Sequence, residues 1–189
     1  MNKIITMALF GGVLQLMNAD AAVVFSGVDG TLDFGVASGS YSLSGIQVTV
    51  TANDGIVNAT GSGLGINDSS SGDDTDGLDT INLVEMLTIS FDVDVMFDSL
   101  TLGGVGGNDA LSASFNGAAP VTLDSSGQYL LGVSLLAGET LTLTATEPSA
   151  QTPNNGVNIT QFTVTAVPEP SSMALLGLAG ITTLFRRRR

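Results

Sequence analysis

Ile46-Gln47-Val48-Thr49-Val50-Thr51 alternates apolar and polar residues without a break. That is the period of a strand with one buried and one wet face, so Ile46, Val48 and Val50 are expected to point into a core. The same two-residue period recurs in Leu87 to Phe91, around Phe97 to Leu102, in Leu111 to Phe115, Val121 to Leu123, Tyr129 to Leu135, Leu141 to Thr144 and Phe162 to Thr165. Turn pairs such as Asn116-Gly117, Ser126-Gly127 and Ala137-Gly138 separate these runs at the spacing of a meander. No helical period survives over a dozen residues between 22 and 167. The expectation is an all-β, antiparallel β-sandwich of about eight strands, with jelly-roll and immunoglobulin-like topologies both open.

Outside the alternating runs, two stretches read as connections longer than a hairpin: Val57 to Leu83, rich in Gly, Ser, Asn and Asp, and Glu147 to Gly156. The first holds the densest set of functional groups, with Asp73, Asp74, Asp76 and Asp79 inside seven residues, Asp68 before them and Glu85 after. Such a cluster needs solvent, salt or a bound cation to relieve its repulsion, and Ca²⁺, with six to eight oxygen ligands, is the hard-ion candidate. An EF-hand is excluded, because a loop ending in Asp76-Gly77 would place Gly72 at the first ligand position and Leu83 at the twelfth. A non-EF calcium loop drawing on Asp73, Asp74, Asp76, Asp79 and Glu85, and a plain solvated acidic loop, are the two readings. Asp92, Asp94 and Asp98 alternate with Phe91, Val93, Val95 and Phe97 and read as the wet face of one strand. The sequons at Asn58, Asn67 and Asn158 mark surface loops.

Both ends of the chain differ from this middle. Met1 to Ala21 has a positive start at Lys3, an apolar stretch from Ile4 to about Met17, and Ala19-Asp20-Ala21, whose small residues fit a cleavage site before Ala22. Residues 1–21 therefore read as a secretory signal peptide with a short signal helix. Residues 168–189 divide into three parts: Pro168-Glu169-Pro170, an apolar run from Ser171 to Phe185, and Arg186, Arg187, Arg188 and Arg189. The prolines hold an open, extended junction, and the arginines fix the orientation of a membrane helix by staying in the cytoplasm. Fifteen helical residues cover about 22 Å against a hydrocarbon core of about 30 Å, so this short transmembrane helix suits a temporary anchor. Residues 22–167 are left as a single exported domain.

The tripartite tail resembles the PEP-CTERM sorting signal. The resemblance implies recognition and cleavage by an exosortase-type membrane protease in a Gram-negative bacterium that makes exopolysaccharide. It also implies an inner-membrane anchored stage, then delivery to the cell surface or extracellular matrix, with membrane and extracellular polysaccharide as the surroundings. A second pattern, Gly63-Leu64-Gly65-Ile66 through Leu78-Asp79 and Glu85 to Leu87-Phe91, resembles one common in the cargo domains that carry this signal. Here Leu78 stands where the pattern has Ile.

Charge excludes several functions. Asp20, Glu169 and all five basic residues lie outside residues 22–167, which leaves 16 carboxylates and no cation there. Nucleic acid is not a partner for such a surface, since binding needs Lys and Arg on phosphates. The chain has no His, Cys or Trp, so Ser-His-Asp or Cys-His nucleophiles, His-ligated zinc and disulfide support are all excluded. The expected function is a non-enzymatic surface or matrix protein. The alternatives are a Ca²⁺-dependent carbohydrate-binding or adhesive module, and a glycosidase using paired carboxylates, the one familiar hydrolytic type this inventory allows.

Overall fold

The computed structural model describes residues 21–68, 77–81, 83–107, 109–147 and 156–168. Among these residues, twelve strands form two antiparallel six-stranded sheets. In chain order they are β1 (Val23–Ser26), β2 (Ser38–Leu43), β3 (Ile46–Ala52), β4 (Ile56–Ala59), β5 (Leu64–Asn67), β6 (Met86–Phe91), β7 (Val95–Gly103), β8 (Ala110–Phe115), β9 (Val121–Leu123), β10 (Gly127–Leu135), β11 (Thr140–Thr146) and β12 (Asn158–Ala166). The eight alternating runs of the sequence are β3 and β6 to β12. The signal helix and the membrane helix expected at the two ends lie outside the described residues.

One sheet runs β10-β7-β12-β5-β4, with β1 pairing β12 beside β5; the other runs β2-β3-β6-β11-β8-β9. From β5 to β12 this gives β5-β12-β7-β10 facing β6-β11-β8-β9, the strand order of an eight-stranded jelly roll, to which β2-β3 and β4 add at the edges.

Alternation produces the packing. Ile46, Val48 and Val50 of β3, Leu87 and Ile89 of β6, and Leu141 and Leu143 of β11 are all buried, while the residues between them face out. Across the sandwich, Phe162 stacks between Phe25 (5.1 Å) and Phe97 (5.8 Å), and Phe91 of the other sheet meets it edge-on at 6.3 Å. Each such pair contributes about 0.5–1.5 kcal/mol beyond area burial, so this cluster locks the two sheets together in a chain without disulfides.

Several expectations are corrected. Val57 to Leu83 is not one loop: it contains the end of β4 and all of β5, tied by Val57↔Ile66 and Ile159↔Leu64 pairing. The aspartates at 92, 94 and 98 do not share a strand, because β6 ends at Phe91 in one sheet and β7 begins at Val95 in the other. Asp92 and Asp94 instead brace that corner by accepting the N–H groups of Gln47 (2.7 Å) and Ala137 (2.8 Å). The sequon asparagines sit in strands β4, β5 and β12, not in loops. A hairpin outside the alternating runs joins β2 to β3 through Ser44-Gly45, where both residues have positive φ (52° and 82°) as a two-residue type I′ turn requires.

Candidate functional site

The crossover from β5 to β6 carries the acidic stretch and spans the two sheets at one end of the sandwich. Where it reaches β12, Leu78 exchanges two 2.9 Å bonds with Val157, and the carbonyl of Gly77 before it accepts the Ile66 N–H at 3.0 Å. Gly77 has no side chain for a reason: a Cβ there would lie 2.7 Å from Gly156 Cα. Leu78 is thereby pinned at the sheet containing β12, and Asp79 follows it inward.

Asp79 and Glu85 are each 1% exposed. Asp79 N–H donates to Glu85 Oε2 at 2.9 Å, Glu85 N–H donates to the Asp79 carbonyl at 3.0 Å, and Ile81 N–H donates to Asp79 Oδ1 at 2.8 Å. Glu85 is held from the other sheet, because its carbonyl accepts Ala145 N–H of β11 at 2.9 Å. Asp79 and Glu85 therefore close a clasp from one sheet to the other, with a carboxylate on each side. Thr80 donates to Glu147 beside it. Asn53 supports the exit, accepting Met86 N–H and donating to the Val84 carbonyl.

Of the five residues named for calcium, the structure brings Asp79 and Glu85 together; Asp73, Asp74 and Asp76 lie outside the described residues. Among the described residues no group of three or more acidic, His or Cys side chains is placed to hold a metal. Two carboxylates, each with one oxygen on an amide, are part of what Ca²⁺ needs, so an ion here would have to draw further on the acidic stretch or on backbone carbonyls.

A surface that the sequence reading did not isolate covers the outer face of the second sheet. Register sets Ser38, Thr51, Thr88, Thr142 and Ser114 in one row across five strands, and Ser40, Thr49, Ser90 and Thr140 in the next. Ser38–Thr51 and Ser40–Thr49 hydroxyls pair at 2.7 and 2.8 Å. Neither row contains a charge, in a domain with 16 carboxylates. The signal was present as the alternating hydroxyls of β2 and β11, but a face emerges only when register aligns the strands.

At the C-terminal end, β12 finishes at Ala166 and Pro168 stands exposed two residues later. Glu169, Pro170 and Arg186 to Arg189 lie outside the described residues, as does Ala19; Ala21 is exposed ahead of β1. No helix among the described residues is long and apolar enough to cross a membrane.

The chain is thus a two-sheet antiparallel β protein whose last strand runs straight into a sorting tail. That tail, residues 166–189, is a PEP-CTERM protein-sorting motif. The motif implies export with a membrane-anchored sorting stage and processing by an exosortase. No curated protein matches the chain. Among solved structures it is similar to the Podospora anserina GH26-CBM35 β-(1,4)-mannanase, at 16% identity, over 80% of this chain and 29% of that one, with a TM-score of 0.32, too slight a likeness to carry fold or function.

Proposed function

We propose that the protein is a non-enzymatic component of the cell surface or extracellular matrix, released from its membrane anchor by cleavage at the tail. The observation that carries this reading is the sorting motif at residues 166–189, following a folded domain without His, Cys, Lys or Arg between 22 and 167. The domain lacks the usual nucleophile, base and phosphate-binding side chains, so display suits it better than catalysis. Residues 1–21 act as the signal peptide, with cleavage after Ala21. Replacing Pro168-Glu169-Pro170 by three alanines should leave a longer, membrane-associated species, because the extended junction becomes free to continue the helix. An unchanged mature mass would defeat the assignment of the motif as the processing signal.

A second reading is a Ca²⁺-dependent module for extracellular polysaccharide. The uncharged hydroxyl rows of the second sheet favour it, as a surface of donors and acceptors facing a neutral polyhydroxyl chain. The buried carboxylates Asp79 and Glu85, in a domain with no internal cation, favour calcium at the acidic crossover. Retardation of the exported domain in gels containing host polysaccharide should disappear with chelator and with Thr142→Glu. Retardation indifferent to both would eliminate this reading.

A further inference from the structure

The chain leaves the sandwich at one end twice. β1 begins at Val23, paired with Val164, and β12 ends at Ala166, paired with Val95. Residues ahead of Val23 and residues beyond Ala166 therefore emerge side by side. Val167 is still held, donating its N–H to the Asp94 carbonyl at 2.8 Å, and Pro168 follows at once. There is no spacer. Four residues, 167–170, separate β12 from the apolar run, and four residues of any conformation reach at most about 13 Å at roughly 3.3 Å per residue.

Around this exit lie the Asp92–Asp94 corner, the Asn116-Gly117 turn and the Leu136–Glu139 turn, closed by Glu139 N–H to the Leu136 carbonyl at 2.9 Å. Its three carboxylates are occupied by amide donors: Gln47 on Asp92, Ala137 on Asp94, and both Leu136 and Asn116 on Glu139. Leu136 and Val167 add exposed apolar surface. Among the described residues, every other carboxylate apart from Asp98 on β7 falls in a connection at the opposite end, since β1, β3, β5, β7, β9 and β11 all run towards it. The molecule is electrically lopsided along its strands.

From this placement we infer that the uncleaved protein stands upright on the membrane, seated on the end formed by the Asp92–Asp94 corner and the Leu136–Glu139 turn. The carboxylate-rich end then points away from the lipid. The inference rests on reading residues 171–189 as a membrane-inserted tail. A tether this short keeps the exit end at the bilayer, and repulsion between the acidic end and an anionic lipid surface opposes lying down or inverting.

The chain has no cysteine, so single substitutions give unique labelling sites. Full-length precursor carrying a fluorophore at Ala118→Cys or Ala137→Cys (exit end), or at Gly107→Cys or Ser125→Cys (opposite end), would be reconstituted into phosphatidylcholine–phosphatidylglycerol vesicles with nitroxide headgroups. Flotation is scored first. Failure to float overturns the membrane-tail reading and this inference with it. Floating protein should show severalfold stronger quenching at the two exit-end sites, and a flexible 20-residue Gly/Ser spacer between Val167 and Pro168, spanning about 25 Å, should abolish the difference. Equal quenching at all four sites in floating protein overturns the orientation alone. Quenching at the exit end that appears only when the processing protease is co-reconstituted also overturns it, in favour of a protease contact.

Discussion

Asp29 shows how local chemistry sets a carboxylate in a domain without cations. Its Oδ1 accepts the Thr31 hydroxyl at 2.7 Å and the Thr31 N–H at 3.0 Å. The hydroxyl bond first, and the backbone bond second, hold its pKa below the ordinary 3.8. Because the folded value is depressed, this contact stabilises fully above the ordinary carboxylate pKa and is lost as pH falls through the folded value. Thr31→Val should move the Asp29 titration, followed by carboxyl carbon NMR, back up towards 3.8; an unmoved titration would contradict the assignment. Asp29 is solvent-exposed, so its contribution to stability is small. Glu85 is the opposite case, buried with a partner amide. Glu85→Ala should cost about 1–3 kcal/mol in urea unfolding by stranding the Asp79 N–H, and Glu85→Gln clearly less because it retains an acceptor. Equal losses would show that the hydrogen bond is not what the clasp needs. The sequence marked Asp79 and Glu85 as members of an acidic stretch, but nothing in their spacing said that they would be buried together. Burial comes from Leu78 pairing with Val157, far along the chain.

At the scale of elements, legibility followed side-chain size. β3, β6, β7 and β11 place Val, Ile, Leu or Phe at alternate positions, and period alone identifies them. β2, Ser-Gly-Ser-Tyr-Ser-Leu, presents Gly39, Tyr41 and Leu43 on its inner face and none is fully buried, so its pattern is faint. β4 and β5 are four residues each and are strands because β12 and each other's edges pair with them. The Asp92–Asp94 corner misled the alternation reading for a related reason. Period 2 continues through a bend whenever the corner residues are themselves polar and apolar in turn. Gly45 is the element-scale test, since β2 depends on its hairpin. Gly45→Val at φ 82° should destabilise by about 1–2 kcal/mol and raise amide exchange in β2 before β6 or β11. Uniform exchange across both sheets would mean that β2 is not a separable edge.

The whole molecule joins a domain that alternation made readable to a tail that motif order made readable. Jelly-roll topology was not legible, because strand order depends on which edges meet and an alternating strand fits any sheet. The face of paired hydroxyls and the separation of carboxylates to one end are likewise properties of register and topology. The tail was legible because residues 166–189 carry their meaning in linear order, independent of the fold. Removal of this tail after export would change the mature mass, which intact-mass analysis reads. Protein recovered from a native host should begin at Ala22 and lack the arginine-bearing tail. In the same host without the protease, and with Pro168-Glu169-Pro170 replaced by alanines, it should retain the tail and stay with the membrane. Identical masses in all three preparations would mean that the tail is not a processing signal.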